Sequence, residues 1–101
     1  SWVLVNDKNM MVNFSPKKKI THKIYECWAL SGYFSFNTAK YMLEQIKKLK
    51  LNNIKINNEF YVDSILDLAL KNKDQVYIHK LREFKCLGTP NQYRNYLNEI
   101  N

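Results

Sequence analysis

Three consecutive lysines, Lys17–Lys19, follow Pro16 and form a basic run in a segment predicted to be a loop. The chain of 101 residues has a formal net charge of +7. Such a charge fits a partner that carries phosphates, whether nucleic acid, nucleotide or sugar phosphate. The alternative interpretation is a solvated surface, because lysine and asparagine recur along the whole chain rather than on one stripe.

Two carboxylates, Glu59 and Asp63, lie four residues apart where a second helix is predicted to begin. An acidic side chain in a first helical turn could contact a ligand bound there. It is also favoured without any ligand, because it complements the positive end of the helix dipole. Both interpretations stay open at this point.

The cysteines and histidines indicate no metal or redox chemistry. Cys27 and Cys86 have no C-x-x-C spacing and no nearby histidine pair, so reduced thiols are expected. His22 and His79 have no partner at ligand spacing, and we assign them no role. The aromatic residues between Tyr25 and Phe34 could stack on nucleic-acid bases, although a continuous apolar run favours core packing.

The first part of the chain has the pattern of strands. Trp2–Val5 and Met10–Phe14 flank a turn at residues 7–9, which predicts a β-hairpin. The run from Lys23 to Phe36 predicts a long buried strand. Gly32 within this run predicts a point where another group comes close to the strand backbone.

The remaining chain alternates helical and extended patterns. We predict a helix capped by Asn37, with apolar residues at helical spacing as far as Leu49, and a second helix capped by Asn58. Residues 76–79 alternate in the manner of a strand, and residues 81–87 predict a second strand or an extended turn. After Gly88, the string Thr89-Pro90-Asn91-Gln92 has the features of a capping box and predicts a final helix.

Three strings in this order resemble a known enzyme family. They are WALSGYFSF at 28–36, NEFYVD at 58–63 and FKCLGTP at 84–90. Together they resemble the C-terminal part of sugar-phosphate nucleotidyltransferases of capsule or lipopolysaccharide biosynthesis. The resemblance implies the C-terminal portion of a nucleotide-diphospho-sugar transferase-like three-layer α/β fold, with a mixed sheet and about three helices.

The resemblance also implies site residues. Lys17 corresponds to the lysine that contacts the sugar phosphate, Gly32 to the pocket glycine, and Glu59 to the acidic residue beside the sugar. No catalytic residue is assigned. Mg²⁺ is the expected cofactor of the complete enzyme, but Cys86 occupies the position where some members have an aspartate ligand, and a thiol suits a hard cation poorly.

The family's glycine-rich nucleotide loop, L-x-A-G-x-G-x-R, has no counterpart in a chain with two glycines. We therefore expect a fragment that is inactive alone, in which residues 1–101 form one unit. The complete enzyme would take an NTP and a sugar phosphate. An isolated piece would leave an exposed sheet edge, so a homo-oligomer or intermolecular strand pairing is expected.

No window has the roughly 18 consecutive apolar residues of a membrane span, and no signal-peptide pattern is visible. We therefore expect a soluble, cytoplasmic protein without membrane contacts. Two other functions stay open: a small basic nucleic-acid-binding module, which the net charge of +7 and the interleaved aromatic residues suggest, and a non-catalytic remnant of the enzyme.

Overall fold

The computed structural model describes residues 1–101, with three strands followed by three helices. The strands are β1 (Trp2–Val5), β2 (Met11–Ser15) and β3 (Glu26–Ala29). The helices are α1 (Ala39–Leu51), α2 (Ser64–Lys71) and α3 (Pro90–Ile100). The chain is thus a small domain that contains both strands and helices, and three helices agree with the expectation.

The strands form one sheet in the order β2-β1-β3, with β1 at its centre. β1 and β2 form the predicted hairpin, with a register shift between Leu4 and Val5. Both strand pairings are antiparallel, so the expected mixed sheet is not found. The physical reason is that the connections between these strands are short. Antiparallel neighbours can be joined without the long crossover that parallel neighbours need.

The core includes a cluster on the face of the sheet to which Val3 and Val5 point, while Leu4, on the other face, is buried as well. This cluster contains Val3, Val5, Met11 and Leu66. Half-buried apolar side chains surround the cluster: Phe14, Trp28, Leu30, Phe34, Leu70, Val76 and Ile78. The cluster joins the central strand to α2, which packs against β2 and against α1.

Helix α1 begins one residue later than expected, because Thr38 rather than Asn37 is its cap. The Thr38 hydroxyl accepts a hydrogen bond from the Tyr41 backbone N–H at 3.1 Å. The prediction for α2 is wrong at its start, since Asn58 lies in a turn with φ of 64° and the helix begins at Ser64. A residue with positive φ cannot hold the extended conformation of a helix cap.

The final helix begins as predicted. Thr89 and Gln92 form a capping box, with Pro90 at the start of the helix. α3 contacts none of the other five elements and has no buried residue. An ion pair between Lys85 and Glu99 at 2.8 Å joins α3 to the preceding segment.

Three extended segments are shorter than the sequence predicts. The strand expected from Lys23 to Phe36 is restricted to Glu26–Ala29, since Gly32 adopts φ of 93° and interrupts the extended backbone. Residues 76–79 form one β-bridge, Met10–Tyr77, and alternate in burial as predicted. Residues 81–87 contain no strand.

None of the three helices combines the length and the apolar character that crossing a bilayer requires.

Candidate functional site

A shallow groove of about 290 Å³ opens where the end of β2 meets the turn before α2. We call it the lysine groove. Its lining residues come from three parts of the chain: Ser1, Pro16, Lys17, Ile56, Asn57, Tyr61 and Asp63. The groove therefore depends on long-range folding, although each wall is a short local segment.

The turn that forms one wall is a tight two-residue hairpin. Ile56 and Glu59 exchange two backbone hydrogen bonds, at 2.9 and 3.1 Å. Asn57 and Asn58 between them have φ of 52° and 64°. Positive φ at both central residues defines the type I′ turn, and asparagine tolerates this conformation better than most residues. The asparagine pair thus builds the wall.

Lys17 forms the cationic part of the groove. Its ammonium donates a hydrogen bond to the Asn57 side-chain oxygen at 2.9 Å. Because Lys17 is exposed, the ammonium keeps most of its hydration and can exchange water for an anionic ligand. The contact joins residues that are 40 positions apart in the sequence.

Asp63 supplies an acceptor on the α2 side. The Ser1 hydroxyl donates a hydrogen bond to its carboxylate and lies 3.4 Å from the Pro16 carbonyl oxygen. The carboxylate makes no capping bond to α2, although Asp63 occupies the cap position. It therefore faces the groove rather than the first turn of its own helix.

Glu59 lies beside the groove and acts on it through Tyr61. The Tyr61 hydroxyl donates a hydrogen bond to the Glu59 carboxylate at 2.7 Å. This hydrogen bond, followed by the negative charge of Glu59, raises the pKa of the Tyr61 phenol. Tyr61 consequently stays a neutral donor that the carboxylate orients along the groove wall.

Gly32 lies elsewhere and does not line this groove. It is exposed, and a Cβ added to it would meet no atom within 4 Å. The structure thus brings Lys17 and Glu59 to one region but leaves Gly32 apart from them.

A second surface depression, of about 450 Å³, runs along β3, and we call it the β3 groove. Segments 19–22 and 25–28 line it. Lys80 forms an ion pair with Glu26 at 2.9 Å, and its ammonium lies 5.0 Å from the centre of the Trp28 ring. His22 stacks on Tyr25 and accepts backbone hydrogen bonds, which accounts for it structurally.

The sequence left open whether this segment contributes a magnesium ligand. No group of three or more histidine, cysteine or carboxylate side chains could hold a metal ion. At the position where an aspartate ligand was considered, the Cys86 thiol lies 3.3 Å from the Gln92 side-chain oxygen. A thiol engaged with a helix cap offers no hard oxygen ligand.

No protein-family model, curated protein or solved structure matches this chain. The chemistry of the lysine groove follows from its own groups. One exposed ammonium, one carboxylate, one carboxamide and one phenol can bind a small polar anion that also carries hydroxyl groups.

The sequence indicated Lys17 and the carboxylates Glu59 and Asp63 but missed Asn57 and Tyr61 as groove residues. Tyr61 lies inside the string at 58–63 that carried the resemblance, two residues after Glu59. The consecutive asparagines at 57 and 58 were the available signal, since such a pair is typical of a type I′ turn.

Proposed function

We propose that this chain is the sugar-phosphate-binding, C-terminal segment of a nucleotidyltransferase. The complete enzyme would transfer a nucleotidyl group from an NTP to a sugar phosphate, or to a similar phosphorylated building block, for capsule or surface polysaccharide synthesis. The observation that carries the proposal is the hydrogen bond from Lys17 to Asn57. It joins Lys17, which the resemblance assigns to the sugar phosphate, to the residue directly before the string at 58–63 that contains Glu59.

Each groove residue has a role in this proposal. The Lys17 ammonium binds the phosphate as a point charge. The Asp63 carboxylate and the Asn57 carboxamide oxygen accept hydrogen bonds from sugar hydroxyl groups. Glu59 holds the Tyr61 phenol in one orientation, so that its oxygen lies at the groove wall.

The segment alone binds but does not catalyse. Nucleotidyl transfer needs a cradle for the triphosphate, and the glycine-rich loop that would supply it has no counterpart here. In the proposal, the complete enzyme has a three-layer α/β fold and holds Mg²⁺ outside the residues described here. Its use of an NTP places it in the cytoplasm.

The nucleic-acid alternative is less well supported by the surface. Three lysines lie over aromatic rings: Lys19 over Trp2, Lys55 over Phe60 and Lys80 over Trp28, with ammonium-to-centre distances of 5.9, 5.1 and 5.0 Å. A ring covered by a lysine is less available as a platform for base stacking. The proposal therefore favours a small phosphorylated ligand.

The test is a titration of the ¹⁵N-labelled chain with a panel of hexose 1-phosphates, followed by NMR. Inorganic phosphate and the free hexoses are the matched ligands. We expect at least one hexose 1-phosphate to shift the amides of residues 17, 57 and 61 more than either matched ligand does. If the panel leaves these amides unmoved, the proposal is wrong.

A variant pair identifies the lysine. Lys17→Ala should weaken binding of the responding hexose 1-phosphate by about tenfold, since it removes a direct ion pair to phosphate. Lys18→Ala has the same change in net charge and should retain binding. Equal losses in both variants would indicate general attraction by the basic surface and would contradict the assigned role of Lys17.

A further inference from the structure

The outer edge of β3 carries backbone groups that nothing in the chain satisfies. Leu30 donates its backbone N–H to the Ser1 carbonyl at 3.0 Å, which establishes the phase of hydrogen bonding between β3 and β1. In an antiparallel pair this phase alternates, so Trp28 and Glu26 also direct their backbone groups toward β1. Cys27 and Ala29 direct theirs outward.

The outward groups of Cys27 and Ala29 have no backbone partner. The backbone hydrogen bonds that lie outside the regular elements include none to either residue. β2, the other edge strand, differs in this respect, because Met11 donates to the Val76 carbonyl at 2.8 Å. The segment around residue 77 thus covers part of the β2 edge, whereas β3 is open.

The β3 edge is short and carries Glu26, but it lacks three other features that normally prevent pairing with another chain. Edge strands are commonly protected by proline, by a bulge or by a covering element. β3 contains no proline and pairs with β1 without a register shift. The β3 groove, of about 450 Å³, leaves space beside the strand for the side chains of a partner.

We propose that this edge binds the β3 strand of a second copy of the chain, in antiparallel orientation about a two-fold axis at Trp28. In this register, Cys27 of each copy lies opposite Ala29 of the other. The outward N–H and C=O groups of both residues then pair, which gives four hydrogen bonds between the two strands. Centring the axis on Cys27 or Ala29 leaves part of these groups outside β3.

Charge is locally balanced at this edge, although the chain as a whole is basic. The chain carries a net charge of +7, so two copies repel each other over most of their surface. Glu26 is the one charged residue within β3, and Lys80 neutralises it at 2.9 Å. The proposed register places Glu26 opposite Leu30, so the two Glu26 carboxylates do not face each other.

In the same register, Trp28 of one copy lies directly opposite Trp28 of the other, as a pair without mutual hydrogen bonds. The Lys80 ammonium lies over each Trp28 ring, and the ring packs against the core of its own copy. The interface therefore rests on the backbone hydrogen bonds of Cys27 and Ala29 rather than on stacking of the two rings. The inference does not depend on the ligand proposed for the lysine groove.

The experiment combines sedimentation equilibrium with amide hydrogen exchange. We expect the chain to dimerise reversibly at high micromolar concentration. The Cys27 and Ala29 amides should exchange more slowly as concentration rises, whereas the Trp28 amide, bonded to β1, should be insensitive to concentration. A monomer throughout this range, or a dimer whose Cys27 and Ala29 amides stay unprotected, would overturn the proposal.

Ala29→Pro provides the variant test. Proline removes the outward N–H and is accepted on an edge strand whose N–H faces solvent, so the monomer should keep its fold. We expect dimerisation to weaken by about tenfold or more. Ala29→Val keeps the N–H and should dimerise as the parent chain does. Unchanged dimerisation of a folded Ala29→Pro chain would contradict the proposed interface.

Discussion

Lys17 and Asn57 are joined by a hydrogen bond of 2.9 Å that connects the end of β2 to the type I′ turn before α2. Both side chains are exposed. The bond therefore orients the lysine without contributing much to folding, because an exposed hydrogen bond replaces one to water. A variant of Lys17 can therefore lose ligand binding while the chain keeps its stability, which is the condition for testing the lysine groove.

We accordingly expect Lys17→Ala to change the free energy of unfolding by no more than about 0.5 kcal/mol. Urea unfolding followed by circular dichroism measures this change, with Lys18→Ala as the control. A loss of ligand binding in a Lys17→Ala chain of parental stability then reports on the ligand. A large destabilisation would show that the contact supports the fold.

Tyr41 should couple stability to alkaline pH. Its burial, followed by the hydrogen bond that its hydroxyl donates to Asp74 at 2.7 Å, raises the pKa of the phenol from 10.0 to about 12. Folding thus favours the neutral phenol. Its contribution to stability is present below pH 10 and is lost as the pH rises toward the folded value.

The measurement is a spectrophotometric titration of tyrosinate in the folded chain. A transition near the raised value should be present in the parent and absent in Tyr41→Phe. Asp74→Asn should lower the midpoint without abolishing the shift, because burial is the larger cause. A Tyr41→Phe chain that keeps the highest transition would assign it to another tyrosine.

Lys73 is in an unfavourable backbone conformation at the end of α2. The helix ends in a Schellman motif, in which Lys73 and Asp74 donate to the Leu70 and Ala69 carbonyls at 3.1 and 2.9 Å. This geometry requires positive φ, and Lys73 has φ of 59°. The same motif ends α1, where Asn53 occupies the equivalent position with φ of 52°.

Lys73→Gly should therefore stabilise the chain by about 0.5 to 1 kcal/mol, because glycine adopts positive φ without steric cost. Asn53→Gly is the control and should have a smaller effect, since asparagine already tolerates the conformation. Thermal unfolding of the two variants checks the order. Destabilisation by Lys73→Gly would mean that the lysine side chain contributes more than the backbone strain costs.

We expect Thr89 to stabilise α3 and to have little effect on the stability of the rest of the domain. Its hydroxyl accepts the Gln92 N–H at 3.2 Å, and the Gln92 side chain accepts the Thr89 N–H at 3.0 Å. Thr89→Ala should cost the helix about 1 kcal/mol. Because α3 packs on no other element, the loss should be confined to the exchange protection of its own amides.

Thr89→Ser retains the capping hydroxyl and should keep that protection. The midpoint of urea unfolding, monitored at core residues, should stay the same in both variants. A lower midpoint in Thr89→Ala would show that α3 contributes to the stability of the sheet and of α1 and α2.

The elements that could be predicted are those determined locally. Turn residues at 7–9 with flanking apolar runs indicated the hairpin, and the string beginning at Thr89 indicated α3. The predictions failed where a backbone conformation decided the outcome. Positive φ at Gly32 ends the extended run early, and positive φ at Asn58 turns a supposed helix cap into part of a hairpin turn.

The candidate site was predictable only in part for a related reason. The sequence indicated Lys17 and Glu59 as separate residues. No local sequence pattern predicts that segments 40 residues apart line the same groove. Gly32 was grouped with them, but it lies on the loop after β3. Whether such residues lie close together depends on how β2 and α2 pack against each other.

The order β2-β1-β3 also has a consequence for how the chain is assembled. β2 and β3 make no pairing with each other, so within the sheet each of them pairs only with the four residues of β1. During synthesis β1 is made before β2 and β3, so it has no pairing partner until they follow. Until residue 29 has emerged, only a two-stranded hairpin can form, and such a hairpin is marginal in water. The sheet therefore becomes self-supporting when its third strand docks.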